Sequence, residues 1–237
     1  MAVELIALKI WALAAALKMV PPGNTQFSVA PVAECAGALI CPGAKYSSFY
    51  DTWVRKETAE QGNERYKLAT EELSEECYTK YANNAEGPFT PETCMASGLA
   101  VAIAESGLRE DVQVGRGWAK KASDDGGMGL GPGKEVCFGQ LHPVNSHRIL
   151  LPGEKLSDLL GLDRISVRRC WRATVAALAR SKSHCAWRIK TDNKKIDSIF
   201  AMYSQYGTGN TCYSANRGKT LTRVRYYRSI MSLKNSL

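Results

Sequence analysis

The chain has 237 residues, of which 45% are hydrophobic, so it can bury one large hydrophobic core or two small ones. This composition predicts a folded rather than a disordered chain. Leucine, alanine, arginine, lysine and glutamate recur and long β-branched alternations are absent, which predicts a mainly α-helical fold. The net charge of +8 is concentrated in residues 101–237, which carry 23 basic and 11 acidic side chains, so the chain presents either a binding face for polyanions or a solvated basic surface.

The first predicted element is an N-terminal helix over residues 1–22. Its apolar stripe consists of Ile6, Ile10, Leu13, Leu17 and Val20. This helical spacing predicts an amphipathic helix that packs on an assembly partner or on a membrane surface. The segment is too short and too charged to predict a bilayer span, and Glu4 and Lys9 do not suit a cleavable secretory signal.

Residues 23–88 form a predicted helical extension. Prolines interrupt the chain as far as about Gly43, which predicts an irregular stretch after the first helix. From Ser48 to Asn83 the chain is charged and helix-forming, with Gly62 as its only interruption. This pattern predicts one or two helices.

A further helix is predicted between Thr90 and Gly107. Thr90 is a suitable N-cap, and Pro91 occupies the first helical position, where proline is favoured. Gly107 is a natural C-terminal stop. Glu105 is therefore expected in the last turn of this helix.

The remaining elements alternate between a glycine-rich loop and helices. The sequence DDGGMGLGPG at 124–133 predicts a loop. Helices are predicted over 167–179, over 196–206 with a stop at Gly207, and over the basic, aromatic tail 221–237.

Eight cysteines occur at wide spacings, and no CxxC pair is present. This excludes the usual zinc-ribbon and thioredoxin signatures and favours disulfides in an oxidising compartment. Eight cysteines allow about 105 pairings, so the connectivity does not follow from the sequence. Pairs between chain neighbours, Cys35 with Cys41 or Cys170 with Cys185, are guesses.

Glu105 is the strongest candidate for a chemical role. A carboxylate in the last turn of a helix faces unpaired carbonyls and the negative end of the helix dipole. The preceding run, residues 99–104, is wholly apolar. If Glu105 is also partly buried, both effects favour the protonated form that a general acid needs near neutral pH. Taken alone, an exposed C-terminal glutamate without a role is the simpler explanation.

Three short motifs favour a chemical role for Glu105 over this simpler explanation. AIAESG at 102–107, FGQ at 138–140 and MYSQYGTGN at 202–210 follow one another in this order. Together they resemble the motifs of the soluble lytic transglycosylase and goose-type lysozyme superfamily, in which a helix-ending Glu-Ser pair precedes a GLMQ-like turn and an AYNAG-like motif. The resemblance covers about residues 90–230. It implies a lysozyme-like helical domain over 89–237 that cleaves the glycan strands of peptidoglycan.

The resemblance implies a role for each matching residue. Glu105 corresponds to the catalytic acid, and Tyr203 to the tyrosine that faces it, with Tyr206 as a competitor for that place. The residues implied to bind substrate are Ser106, Phe138, Gly139, Gln140, Tyr206, Gly207 and Asn210. Two positions depart from the family pattern, because Ser204 stands in place of the usual asparagine and Phe138 in place of a leucine-methionine doublet.

Two mechanisms remain open at this stage. A lytic transglycosylase uses one glutamate as acid and then as base, and the sugar's own hydroxyl closes an anhydro ring. A hydrolytic goose-type lysozyme would add a second carboxylate, for which Asp111, Asp124 and Asp125 are the nearest candidates, although turn chemistry also explains the two in the glycine-rich loop, Asp124 and Asp125. The single-glutamate mechanism is favoured.

No cofactor or metal is expected. The glycine-rich loop lacks the GxxxxGK[ST] pattern of a phosphate-binding loop, and the histidines and cysteines match no standard zinc spacing. The expected partner is peptidoglycan and not nucleic acid, with residues 1–20 available for a membrane surface or an assembly partner. The expected location is secreted or periplasmic, or alternatively within a phage particle.

A rival hypothesis belongs to another class of protein. A non-catalytic binding or structural protein of a larger assembly could use the basic half of the chain to hold nucleic acid or wall polymer. Residues 223–228 would then stack on bases and contact phosphates, although a solvated helix face explains them equally well. Packing of Glu105 against Arg109, without an adjoining cleft, would favour this rival.

Overall fold

The computed structural model describes residues 2–20, 59–114, 136–141, 149–209, 211–213 and 217–234. Seven α-helices occur in these ranges: α1 (Ala2–Met19), α2 (Ala59–Tyr81), α3 (Pro91–Ser106), α4 (Glu110–Gln113), α5 (Arg164–Thr191), α6 (Ser198–Thr208) and α7 (Arg217–Lys234), with a 3-10 turn at Leu156–Leu159. The described part of the chain contains no β-strand, which confirms the predicted mainly α-helical class.

Helix α3 is the centre of the fold. Every residue from Cys94 to Ile103 is buried, because α1, α2, α5 and α7 pack around it. Both predicted ends are confirmed. The Thr90 hydroxyl accepts from the Thr93 amide at the N-terminus, and Gly107 ends the helix in the left-handed conformation with φ 59°. Because α3 is apolar on all sides, it is buried as the central helix of the fold, whereas an amphipathic helix buries only one apolar stripe.

Helix α1 packs on the rest of the chain with a face that only partly matches the predicted stripe. Leu8, Trp11, Ala12, Ala15 and Ala16 are buried, whereas Ile6 and Ile10 are 56% and 60% exposed. The three alanines let α1 approach the neighbouring helices closely, and the Trp11 indole donates to the Ile230 carbonyl of α7 at 3.1 Å. The predicted apolar stripe is therefore divided: Ile6 and Ile10 lie on the outer side of the helix, whereas Leu13, Leu17 and Val20 pack against the core.

Helices α2 and α5 are joined by buried and half-buried charges. The Glu72 side chain is fully buried and lies 3.0 Å from Arg164 Nε and 2.6 Å from Arg168 Nε. Glu75 pairs with Arg168 and also with Lys9 of α1. These pairs bring α1, α2 and α5 together at one end of the molecule.

Several predicted helix boundaries differ from the structure. Helix α5 is longer than predicted, because its polar continuation to Thr191 has good helix formers and no breaker. Helix α6 passes through Gly207 and ends at Gly209, which adopts φ 69°. The tail helix begins before the predicted Leu221 and ends at Lys234. In the described part of the 48–83 segment, one helix runs through Gly62.

Three disulfides link the described residues: Cys77–Cys94, Cys137–Cys170 and Cys185–Cys212. The prediction of disulfides is confirmed for these six cysteines, but the guessed pair of Cys170 with Cys185 is wrong. Both lie on α5, fifteen positions and about four turns apart, so their side chains cannot meet. Cys35 and Cys41 lie outside the described residues.

The three predicted units share one hydrophobic core in the described structure. Apolar residues of α1 and α2 pack with those of α3, α5, α6 and α7. None of the described helices is long and apolar enough to cross a lipid bilayer. The helices of residues 1–22 and 23–88 thus support α3, whose C-terminal end carries Glu105.

Candidate active site

The C-terminal end of α3 holds Glu105 in a fixed position. Gly107 caps the helix, and its amide donates to the Ile103 carbonyl at 3.1 Å. Ser106 is buried; its hydroxyl donates to the Ala102 carbonyl at 2.7 Å and accepts from the Leu108 amide at 3.2 Å. Ser106 thus completes the helix end, while Glu105 projects from the last turn with a side chain that is 14% exposed.

The Glu105 carboxylate is bound by Arg223 of α7. Arg223 Nε donates to Glu105 Oε1 at 2.7 Å, and Nη2 makes a second short contact with the same oxygen. The Arg223 side chain is only 5% exposed, so solvent screens this ion pair little. The arginine that binds Glu105 thus comes from α7, whereas Arg109 lies beyond the helix end at the N-cap of α4.

Tyr206 of α6 joins the third motif to the second. Its hydroxyl donates to the Gly139 carbonyl through a short hydrogen bond, and the Arg223 guanidinium lies 5.9 Å from the centre of its ring. Burial raises the pKa of the Tyr206 hydroxyl, and the negative charge of Glu105 raises it further. Tyr206 is therefore a neutral hydrogen-bond donor close to Glu105.

The second motif forms a tight turn against α5. Val136 and Leu141 pair through two backbone hydrogen bonds of 3.0 and 2.9 Å, and Gln140 adopts φ 50° within the turn. Phe138 is fully buried against Trp171, and its amide donates to the side chain of Gln113 at 3.0 Å. The turn is thus anchored from both sides.

Gly139 is the point of closest approach between this turn and α5. A Cβ at this position would collide with the Thr174 hydroxyl and lie 3.0 Å from its methyl group, so the turn can pack this closely only with glycine. The disulfide from Cys137 to Cys170 fixes the same turn to the same helix. This packing directs the Gly139 carbonyl towards Tyr206.

Tyr203 occupies the core rather than the site. Its side chain is fully buried, and its hydroxyl donates to the Ser97 carbonyl of α3 at 3.3 Å. Burial raises the pKa of this hydroxyl well above its ordinary value. Only the Tyr203 backbone takes part in the site, because its carbonyl accepts from Arg223 Nη1 at 3.0 Å.

Gln140 and Gly207 lie at the edges of the same group. The Gln140 side chain is half-buried and donates to the Cys137 carbonyl at 3.3 Å. A Cβ at Gly207 would collide with Arg223 Nη1 and lie 2.8 Å from Nη2. Gly207 therefore leaves the space through which the Arg223 guanidinium reaches Glu105.

Three predicted site residues lie outside the described residues, namely Asp124, Asp125 and Asn210. The structure therefore gives no position for a second carboxylate from the glycine-rich loop. Within the described ranges, no group of three His, Cys, Asp or Glu side chains lies close enough to hold a metal ion.

A groove of about 740 Å³ opens near the other side of the α3–α4 connection. It is lined by the first half of α2, by Glu110 and by the start of α5, and Glu105 is not among its lining residues. Arg65 borders this groove and donates to the Leu108 carbonyl at 2.6 Å. Through Arg65, the groove borders Leu108, which follows the C-terminal end of α3, but the Glu105 carboxylate does not line it.

Arg223 is the functional residue that the sequence analysis missed. It was placed in a basic, aromatic tail, either in contact with nucleic acid or on a solvated helix face, whereas it is 4% exposed. The signal that could have located it is helical spacing, because Thr220, Arg223, Val224 and Ile230 are all buried on one side of α7. An arginine within such a stripe calls for an acidic partner in the core.

The arrangement joins a half-buried carboxylate, a guanidinium and a phenolic hydroxyl at the meeting point of α3, α6, α7 and the 136–141 turn. In this arrangement the Arg223 guanidinium binds and orients the Glu105 carboxylate, and the Tyr206 hydroxyl is a hydrogen-bond donor. Comparison with protein-family models, with curated proteins and with solved structures finds no match for this chain.

Proposed function

We propose that this protein cleaves the β-1,4 bond between N-acetylmuramic acid and N-acetylglucosamine in peptidoglycan, as a lytic transglycosylase with a lysozyme-like helical domain. One observation carries the proposal: the three motifs, far apart in the sequence, meet in space. Tyr206 of the third motif donates to the Gly139 carbonyl of the second, and Arg223 binds both Glu105 of the first motif and the Tyr203 carbonyl of the third.

The chemistry requires one group that gives and then takes a proton. Glu105, protonated on one oxygen, donates to the glycosidic oxygen as the bond to the sugar carbon breaks. The resulting carboxylate then removes the proton from the muramic acid hydroxyl that attacks the same carbon, which closes the anhydro ring. Partial burial at 14% exposure keeps Glu105 close to solvent while the helix end fixes its direction.

Hydrolysis with a second carboxylate is the alternative within the same class. Asp124 and Asp125 remain its candidates, and the two mechanisms differ in their product. Transglycosylation gives anhydro ends, whereas hydrolysis gives reducing ends.

The proposal is tested with Glu105→Gln in a dye-release assay on purified peptidoglycan. The amide keeps the size of the side chain and an acceptor oxygen for Arg223, but it cannot transfer the proton. We expect release to be abolished. Because the substitution also leaves the buried Arg223 guanidinium without an anionic partner, we expect a lower melting temperature, so release is compared at a temperature where both proteins are folded. Glu92→Gln is the matched control, since Glu92 lies in the first turn of the same helix and pairs at the surface with Lys234. Retained release by Glu105→Gln would overturn the proposal.

A second candidate function is a non-catalytic component of a larger assembly. Two observations favour it: Arg223 binds Glu105 as a structural ion pair would, and the outer face of α1 leaves Val3, Ile6 and Ile10 exposed by 78%, 56% and 60%. This candidate predicts no release of dye by the wild-type protein.

Three disulfides in the described residues are compatible with a secreted or extracellular protein. We propose a secreted or periplasmic location, with a component of a phage particle as the alternative. The proposed partner is peptidoglycan rather than nucleic acid, and the basic half of the chain would serve to approach the anionic wall.

A further inference from the structure

The ion pair between Arg223 and Glu105 uses only one oxygen of the carboxylate. Nε and Nη2 of Arg223 both contact Oε1, so neither of these hydrogen bonds involves Oε2. In a two-oxygen fork, by contrast, the guanidinium would engage both carboxylate oxygens. The Arg223 contacts at Glu105 therefore fall on one oxygen and leave the other outside the ion pair.

We propose that Arg223 is a positioning residue for catalysis: it holds Glu105 through Oε1 and leaves Oε2 to carry the proton that moves to and from the sugar. This inference rests on the proposed function. A protonated carboxyl bears its hydrogen on one oxygen and still accepts hydrogen bonds on the other. The contact of Arg223 with Oε1 is thus compatible with both the acid and the base form of Glu105.

Arg223 is itself fixed from three directions. Nη1 donates to the Tyr203 carbonyl at 3.0 Å, and the guanidinium lies 5.9 Å from the centre of the Tyr206 ring. The missing Cβ of Gly207 provides the space for Nη1 and Nη2. These contacts hold the guanidinium in the direction in which Nε and Nη2 reach Oε1.

This role also explains the glycine within α6. Gly207 lies in the last turn of α6 but does not end the helix, which continues to Thr208 and is capped by Gly209. The space that a side chain at position 207 would fill is occupied by the Arg223 guanidinium. Gly207 and Arg223 therefore form one positioning unit for Glu105.

The test compares Arg223→Ala and Arg223→Lys with the wild type by steady-state kinetics on soluble glycan strands. If Arg223 orients the proton-transferring oxygen, Arg223→Ala should lower kcat by about a hundredfold while KM changes by less than about threefold. Arg223→Lys, which restores a charge but not the planar group, should recover part of kcat. Added guanidinium ion at non-denaturing concentration should raise the kcat of Arg223→Ala and leave the wild type unchanged.

A control and a second variant keep the outcome decisive. Arg228→Ala removes an exposed arginine of the same helix, whose partner is Asp197, and should leave kcat unchanged. If Arg223→Ala does not fold, Gly207→Ala serves instead, because the added Cβ displaces the guanidinium without removing it. Gly218→Ala is its matched control, since a Cβ there meets nothing within 4 Å.

The possible results separate this inference from the proposed function. If Glu105→Gln is inactive while Arg223→Ala, or Gly207→Ala in its place, keeps the wild-type kcat, the positioning role is overturned and the proposed function stands. If kcat falls but guanidinium ion does not restore any of it, Arg223 is only structural. If Glu105→Gln is as active as the wild type, the proposed function fails and the positioning role fails with it.

Discussion

The two tyrosines of α6 have different tasks because they face different neighbours. Three residues apart, Tyr203 and Tyr206 lie close to one side of the helix, yet the Tyr203 hydroxyl donates into the core at Ser97 and the Tyr206 hydroxyl donates to the Gly139 carbonyl. Tyr206 also lies near Glu105, whose charge raises the pKa of its hydroxyl in addition to the effect of burial. Tyr206 is thus the tyrosine that can act at the site.

Tyr206→Phe is expected to lower activity more than Tyr203→Phe. Removing the Tyr206 hydroxyl leaves the Gly139 carbonyl without its donor, at a cost of about 1–3 kcal/mol in the free energy of unfolding, and it loosens the second motif. The Tyr203 hydroxyl makes a longer bond of 3.3 Å away from Glu105, so its loss should affect stability without a specific effect on kcat. Urea denaturation and dye release on both variants check this, and equal losses of kcat would contradict it.

The sequence was sufficient to place Glu105 but not its partner. Thr90, Pro91 and Gly107 are local signals for the ends of a helix, and they located Glu105 in the last turn without any knowledge of the rest of the fold. Arg223 lies 118 residues further along the chain, and only packing of α7 against α3 brings it to the carboxylate. Gly207 was interpreted as a helix stop because glycine usually has that meaning, whereas it makes room for a side chain.

Among the elements, the 136–141 turn depends most on long-range restraints. It has almost no regular structure, so its position comes from the disulfide to α5, from the Gln113 side chain and from the contact of Gly139 with Thr174. Local sequence predicted a turn of the second motif, but it could not predict which helix holds it. The cysteine pairing was beyond prediction for the same reason.

Replacing Cys137 and Cys170 together by alanine should lower both stability and activity. The disulfide closes a loop with a sequence separation of 33, for which chain entropy alone gives about 4 kcal/mol in the free energy of unfolding. Removing Cys185 and Cys212, with a separation of 27, should cost a similar amount of stability, about 3.5 kcal/mol. Because the first pair alone fixes the turn that carries Gly139, we expect a larger loss of kcat for it at a temperature where both variants are folded. Equal kcat values would contradict this.

The helices differ in how far the sequence determined them. Helix α3 followed its caps, and α5 followed its apolar stripe but ran beyond it. The spacing correctly predicted that α1 is a helix but only part of its buried face, because alanines and the Trp11 indole contact the core beside the aliphatic residues while Ile6 and Ile10 remain exposed. Close packing rewards shape as well as apolar area, and shape is known only when the partner helix is known.

At the scale of the whole molecule, α1 is docked by charges as well as by apolar contacts. Lys9 Nζ lies 2.6 Å from Glu75 Oε1 on α2, and the Lys9 hydrogen bond lowers the pKa of Glu75. A carboxyl with a lowered pKa in the folded state binds protons more weakly than in the unfolded chain. Its contribution to stability is therefore present above the ordinary pKa of 4.5 and is lost as the pH falls through the folded pKa.

Lys9→Met should reduce the loss of stability on acidification. Without Lys9, the pKa of Glu75 moves back towards its ordinary value. When the pH is lowered from 6 to below the pKa of Glu75, the free energy of unfolding should therefore fall less in Lys9→Met than in the wild type. Since the pair is partly exposed, the difference should stay below about 1 kcal/mol. Glu76, whose pKa is raised by burial, acts in the opposite direction and is unchanged by the substitution.

Lys18→Met is the matched control for this measurement. Lys18 is exposed in the last turn of the same helix, so its replacement should leave the pH dependence of unfolding as it is in the wild type. Denaturant unfolding at a series of pH values provides the comparison. The same slope in Lys9→Met and the wild type would contradict a role for this pair in holding α1.

Mass spectrometry of the soluble fragments released from purified peptidoglycan tests the central role of Glu105 most directly. Wild-type protein should release muropeptides that end in an anhydro sugar. Such an end shows that the sugar's own hydroxyl, rather than water, attacked the carbon of the cleaved glycosidic bond. Glu105→Gln should release none, while Glu92→Gln should give the wild-type pattern. Reducing-end fragments alone would replace transglycosylation by hydrolysis, and the same fragments from wild type and Glu105→Gln would contradict catalysis by Glu105.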